Sequence, residues 1–309
     1  MLHTHTKNSP DLGETLWFDA QNYKNTQTYM SLTDNGKIHA DNMHDNGYTI
    51  IKKAVSEQEC DAVISAVNNW VLKREDEFNS QIKPDGTTPR IINLHTENKD
   101  VLNLFLNSKV LEVQDILYGY PTALYTSLYF KQGSQQPIHR DVPVFSTTPQ
   151  NFYFGVWYAL EESNIQNGTL EAYPGGHKLE IDQYALAKKY YEKVEDIPAV
   201  CTNLWMEYQA AIVEKCQQHN LKKVTIPFDK GDVIIWHPLL PHGGGPILDK
   251  TKTRNSVVFH TAPQGVPVRQ GDDFYNWEQP NNRITERTYQ FISSDRLMAG
   301  IGKASIVNT

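Results

Sequence analysis

The sequence predicts a mainly β fold, with one barrel or jelly-roll core buttressed by helices and interrupted by a helical insertion. Helical patterns come first, over residues 56–73 and 100–118, and strand patterns dominate after Pro121. The run 152–160 is almost continuously apolar, as a strand buried on both faces must be. Strand and helix do not alternate along the chain, which argues against a doubly wound sheet and for a barrel or jelly roll.

Residues 1–45 are polar, show no sustained period and read as an arm or cover. A short β run starts at Gly47-Tyr48-Thr49-Ile50-Ile51, and Ser56 with Glu59 three residues on forms a capping-box signature. The helix after it carries Ala62, Val63, Ala66, Val67, Trp70 and Val71 at helical spacing. A second helix is expected from about 100 to 118, carrying Val101, Leu104, Phe105, Val110, Leu111 and Ile116. Strands are expected at 123–130, 152–160, 168–173, 223–227, 232–236 and 255–262, with a tight turn at Asp229-Lys230-Gly231-Asp232. Residues 181–222 revert to helical composition and read as an insertion in a domain spanning 46–270. A polar tail, 271–309, packs on or covers the core.

Composition narrows the function. A net charge of −7 with no basic face disfavours nucleic acid, because phosphate contacts need one. Cys60, Cys201 and Cys216 are too few and too irregularly spaced for a disulfide framework or a zinc ribbon. No apolar stretch is long enough to cross a bilayer, and the first fifteen residues lack a signal-peptide core, so a soluble, cytoplasmic protein is expected.

The chemistry-bearing signal is His-x-acid. Residues i and i+2 of a strand share a face, so such a pair can offer two ligands to one ion. Two histidines and one carboxylate form the facial triad of non-haem iron(II). Composition alone predicts about one such pair by residue counting, yet three occur: His39-Ala40-Asp41, His95-Thr96-Glu97 and His139-Arg140-Asp141. The first lies in the arm. The second precedes a helix, whose start Thr96 or Glu97 suits. Only the third lies in the β region. For a third ligand, His177, His237, His242 and His260 compete. His242 is favoured because it is followed by Gly243-Gly244-Gly245, which permit close backbone approach. His177 and His237 suit a turn and a strand end. Downstream, Arg254 and Ser256 share a strand parity and offer a guanidinium and a hydroxyl to a carboxylate.

Four stretches in this order resemble the phytanoyl-CoA dioxygenase family of 2-oxoglutarate oxygenases. They are His139-Arg140-Asp141; Gly168-Thr169-Leu170-Glu171-Ala172-Tyr173-Pro174-Gly175-Gly176-His177-Lys178; Gly231-Asp232-Val233 leading to His242-Gly243; and Arg254-Asn255-Ser256. The resemblance covers about 45–265 and implies a double-stranded β-helix, the cupin-like jelly roll. His139, Asp141 and His242 match the family's iron ligands, and Arg254 matches the arginine that binds the distal carboxylate of 2-oxoglutarate. Trp157 falls where the family often has an aromatic beside that cosubstrate, although its apolar strand suits core as well. The sequence departs from the family at Gly176, where a serine is usual, and at Gly243-Gly244, where a hydroxyl is often found. Ser256 is a possible substitute for that missing hydroxyl.

The implied reaction uses Fe(II), 2-oxoglutarate and O2. It hydroxylates an unactivated C–H bond of a small or medium metabolite while 2-oxoglutarate is decarboxylated to succinate. Desaturation, epimerisation or cyclisation by the same chemistry is the first alternative. A non-catalytic β-helix protein for binding or sensing is the second. Related halogenases lack the carboxylate ligand, so Asp141 disfavours chlorination. Tyr125 and Tyr129 suit core or pocket wall. Arg269, Arg283 and Arg287 are available to an anionic substrate, although solvated surface arginine is the simpler reading. The substrate itself is not legible.

Overall fold

The computed structural model describes residues 10–142, 144–193, 196–198, 201–270, 288–300 and 302–308. Its strands are β1 (Tyr48–Ile51), β2 (Arg90–Ile92), β3 (Thr122–Phe130), β4 (Phe145–Thr147), β5 (Phe154–Ala159), β6 (Leu170–Ala172) and β7 (Val224–Ile226). They continue with β8 (Val233–Trp236), β9 (His242–Gly244), β10 (Ser256–Pro263), β11 (Val268–Gln270), β12 (Tyr289–Phe291), β13 (Leu297–Ala299) and β14 (Ser305–Val307). The large sheet runs β1-β8-β5-β10-β3-β13-β12, with β2 also on β3 and β14 on β2. A small sheet, β7-β6-β9, and a β4-β11 pair complete it. The expected strands are present, and the fold is a sheet-rich core flanked by helices.

The side-chain period of two explains why the central strands are apolar throughout. Phe154, Val156 and Tyr158 of β5, Val233 and Ile235 of β8, and Val257 and Phe259 of β10 enter one core. Helix Glu57–Leu72 backs that face with Cys60, Val63, Val67 and Trp70, and helix Ser108–Tyr118 adds Val110, Leu111, Val113 and Leu117. The alternate residues Trp157, Ile234, Trp236 and Val258 point the other way, towards Leu170, Ala172 and Ile226 of the small sheet. One face of the large sheet is therefore structural. The other, between the sheets, carries the polar cluster described below.

Local differences from expectation have local causes. The capping box at Ser56 forms, with Ser56 N–H donating to Glu59 Oε2 at 2.9 Å and Glu59 N–H to Ser56 Oγ at 3.2 Å. The expected single helix over 100–118 is two, Lys99–Phe105 and Ser108–Tyr118, because Asn107 caps the second by accepting from Val110 N–H. Part of the stretch read as irregular is helical from Asp34 to Asn46. It closes on Gly47 in the left-handed region, and Leu16, Phe18, Tyr23 and Met43 enter the helix-backed core. In the insertion, helices Gln183–Ala187 and Thr202–Gln218 bury Leu204, Tyr208, Ile212 and Cys216 in a small core of their own. In the tail, β14 pairs with β2 and β13 joins β3 in parallel. Arg283 and Arg287 lie outside the described residues. No helix among the described residues is long and apolar enough to cross a membrane.

Candidate metal centre

An antiparallel bridge brings the candidate ligands together. His139 N–H donates to His242 O at 2.8 Å, and His242 N–H to His139 O at 2.9 Å. The approach requires the glycines: a Cβ on Gly243 would stand 2.7 Å from Gln136 O, and one on Gly244 2.5 Å from Ser134 Oγ. Around that bridge the side chains at 139, 140 and 141 part to two sides. His139 and Asp141 turn inward with His242, and the three are 8%, 7% and 7% exposed. Arg140 turns outward into the insertion, 2% exposed, and donates to Gly176 O and Leu179 O, both at 2.7 Å. Gln209 of helix Thr202–Gln218 grips the backbone of Arg140 from both sides, accepting its N–H at 2.7 Å and donating to its carbonyl at 3.2 Å.

His139, Asp141 and His242 form the only such cluster among the described residues, with one ligand atom from each lying within 4.8 Å of the others. Both rings are pinned through Nδ1, His139 to Pro137 O at 2.9 Å and His242 to Leu240 O at 3.0 Å. With the proton on Nδ1, each Nε2 keeps a free lone pair directed at the centre. Asp141 Oδ1 lies 3.8 Å from His139 Nε2 and 3.9 Å from His242 Nε2. Burial, the neighbouring His242 and the Arg90 charge hold the His139 imidazole down to about 4, against the pull of Asp141. Burial alone would raise Asp141, but the His242, His260 and His139 rings around it outweigh that and hold its carboxyl well below the ordinary range. The arrangement presents one carboxylate oxygen and two imidazole Nε2 atoms to a common centre, the donor types a metal ion takes.

The cluster opens on a cavity of about 480 Å³ lined also by Arg254, Trp157, Arg90 and Trp205. Arg254 is 2% exposed, donates to Gly168 O at 2.7 Å, and stands 5.4 Å from the Trp157 ring centre. Burial lowers its guanidinium to about 10, still cationic at neutral pH, and its Nε has no hydrogen-bond partner among the described residues. Trp157 serves as both core and pocket wall: it packs on Phe228 at 4.8 Å and lines the cavity. Ser256 is fully buried and is not among the residues lining the cavity. Gly176, where a serine was expected, has no room for a side chain, since a Cβ would stand 2.8 Å from the Pro241 ring.

The remaining candidates fall elsewhere. His177 meets His44 O and His237 meets Asp19, as structural histidines do. Tyr125 and Tyr129 are core residues. Arg269 is not a solvated surface arginine: it is 3% exposed, bonds Thr148 Oγ1 and lines a neighbouring cavity of about 820 Å³. That cavity meets the metal cavity at Arg140 and Phe145 and is lined by Asp19, Gln21 and His44 of the N-terminal segment. Three site residues, Trp236, Trp205 and Arg90, escaped the sequence reading, and a fourth, His260, entered it only as a rival third ligand. His260 lies 3.4 Å from Asp141 Oδ2, and Trp236 Nε1 donates to that same oxygen at 2.9 Å. Trp205 stands 6.2 Å from the His139 ring. Arg90 acts electrostatically on His139 and lines both the metal cavity and an adjoining cavity of about 810 Å³. Only His260 had a signal, its even spacing from Arg254 through Val258 along one strand face.

A sheet-rich fold holding two histidines and a carboxylate beside a buried arginine defines the class of a mononuclear metal protein. The chain belongs to the phytanoyl-CoA dioxygenase family, whose sequence profile, Phytanoyl-CoA dioxygenase (PhyH), matches residues 43–255. It is similar to the peroxisomal phytanoyl-CoA dioxygenase of Mus musculus, 28% identical over 121 residues. That match covers 37% of this chain and 30% of the relative, so it spans about a third of the relative's length. Among solved structures it resembles the epimerase SnoN in complex with Fe3+, alpha ketoglutarate and nogalamycin RO. The TM-score is 0.58 at 15% identity, over 85% of this chain and 98% of that one. It also resembles the non-heme alpha ketoglutarate dependent carbocyclase SnoK, with a TM-score of 0.56 at 17% identity, over 80% of this chain and 89% of that one.

Proposed function

We propose that this chain is an iron(II)- and 2-oxoglutarate-dependent oxygenase in which His139, Asp141 and His242 hold the metal. The observation that carries the reading is the pinned pair of imidazoles: both Nδ1 atoms are committed to backbone carbonyls, leaving two Nε2 atoms and one carboxylate oxygen at a common centre. That donor set suits iron(II) and leaves coordination positions for other ligands. When bound, iron and 2-oxoglutarate would, with O2, supply an oxidant for an unactivated C–H bond, one oxygen atom of O2 entering succinate as CO2 is lost from the cosubstrate.

The chain's own residues bind, orient and shield. Arg254 offers a desolvated guanidinium to the distal carboxylate of 2-oxoglutarate, and Trp157 supports it from one side. Arg90 adds a second cation to the same cavity, as a dicarboxylate favours. Trp205 and Phe145 wall the centre from the two neighbouring cavities and limit water around it. The fold is read as a double-stranded β-helix, supported by two sheets that pack Trp157 and Val258 against Leu170 and Ile226. The reaction assigned is hydroxylation of a small or medium metabolite. Epimerisation or ring closure is the second reading, favoured by the resemblance to an epimerase and a carbocyclase.

The test is uncoupled turnover. Protein loaded with iron(II) under anaerobic conditions, then given O2 and 2-oxoglutarate, is expected to release succinate, and His139→Ala to abolish the release. Succinate formation undiminished in that variant would overturn the assignment.

A further inference from the structure

Asp141 uses its two oxygens differently. Oδ1 faces the Nε2 atoms of His139 and His242, whereas Oδ2 turns away and accepts the indole N–H of Trp236 at 2.9 Å. His260 Nε2 lies 3.4 Å from Oδ2. The ring is 3% exposed, and its Nε2 is within ion-pair distance of that oxygen. Phe145 stacks on that ring at 3.8 Å and 22°, holding it beside the carboxylate. The Trp236 indole also packs on the His242 ring at 4.5 Å, so one side chain touches two members of the cluster.

The sheet explains how two large rings converge on one oxygen. In the order β8-β5-β10, Trp236, Gly155 and His260 are direct cross-strand partners in a single row. The middle position must be glycine. A Cβ there would stand 2.1 Å from Trp236 Cε2 and 2.3 Å from its Nε1. The indole lies across the bare backbone of Gly155, and any side chain at 155 would drive it off Asp141.

We propose that Trp236, Gly155 and His260 form a carboxylate clamp that presents Asp141 to the metal through Oδ1 alone. Trp236 and His260 are positioning residues: they occupy Oδ2, and Gly155 makes the room. A hydrogen-bonded second oxygen fixes the carboxylate's rotamer and keeps it from swinging to offer both atoms, the way outer partners of metal ligands commonly act. The inference rests on the metal reading above but concerns residues outside the triad.

The experiment measures Co(II) affinity of the full chain by chelator competition, with the Co(II) absorption spectrum as a second readout and thermal melting of metal-free protein as the fold control. Wild type is expected to bind one Co(II). Trp236→Phe, which keeps a ring against His242 but removes the N–H, is expected to weaken binding about 10- to 100-fold. Gly155→Ala should weaken it in the same direction with the indole intact, and both variants should shift the Co(II) spectrum. In an Asp141→Ala background, adding Trp236→Phe should change affinity by less than about twofold, since the indole N–H acts only through Asp141. A purely structural role would persist in that background and overturn the clamp. So would wild-type affinity in Trp236→Phe, whether or not Gly155→Ala folds. If wild type shows no Co(II) site dependent on His139 and His242, the metal reading fails and the clamp with it.

Discussion

The chain spells His-x-acid at 95–97 and again at 139–141, and the two do opposite things. At 139–141 the chain is bridged at His139 to His242, and the side chains of His139 and Asp141 reach one centre with that histidine. At 94–96 the backbone is a 3-10 turn, which sends His95 and Glu97 apart. His95 goes inward, where its Nδ1 meets Ser127 Oγ at 2.6 Å. Glu97 stays near the surface, accepting from Trp70 Nε1 at 3.0 Å and Arg74 at 3.1 Å. The third copy, His39 and Asp41, sits on a helix, with His39 on Thr49 and Asp41 receiving Tyr23, Lys24 and Tyr29. A two-residue ligand motif is thus a statement about backbone conformation as much as about residue type.

The comparison breaks most visibly at the acids. Asp141→Ala is expected to lower Co(II) or Fe(II) affinity by at least about 100-fold, because it removes a ligand and leaves Trp236 without its acceptor. Glu97→Ala should leave that affinity unchanged. Titrating both variants with the metal checks this, and equal losses would erase the distinction.

A smaller effect tests what holds the backbone at 139–141 in place. Gln209→Ala removes the amide that grips the Arg140 backbone, and metal affinity is expected to fall about tenfold, with activity following. Unchanged affinity would mean that the bridge to His242 suffices.

A separate effect, read in stability rather than affinity, concerns pH. Burial holds His95 at about 4, below the ordinary histidine value, so the unfolded chain binds more protons between those limits. The stability from its neutral form is full above about 6.5, the unpaired histidine value, and is lost as pH falls towards 4. For metal-free protein this amounts to about 2 kcal/mol between pH 7 and pH 5. His95→Gln should remove that part of the slope, measured by urea unfolding at the two pH values. An unaltered slope would show that other buried histidines, such as His177, carry the pH dependence.

Much of the architecture was legible because it rests on period and local chemistry. The alternation of Phe154, Val156 and Tyr158 with Trp157 and Ala159 follows from burial on both faces. The Ser56 box needs only Ser56 and Glu59. The triad was legible because strand context and the glycines after His242 separate it from its copies. What escaped depends on distant partners. The strands at 289–291, 297–299 and 305–307 have three residues each, too short to show a period, and exist through pairing with β13, β3 and β2 respectively. Trp236 reads as a core residue until Gly155 is seen lying beneath its ring. Arg140 looks like a surface cation between His139 and Asp141, yet it is buried and tied to the insertion through Gln209 and Tyr208. Ser256 has the parity of Arg254, but it is packed inside the sheet, away from the cavity.

The most direct test of the central claim is anomalous scattering at the iron edge from crystals grown and loaded with Fe(II) under anaerobic conditions. One strong peak is expected within bonding distance of His139 Nε2, Asp141 Oδ1 and His242 Nε2, with Asp141 Oδ2 still on Trp236. A peak at other residues, or none in fully loaded crystals, would contradict that claim.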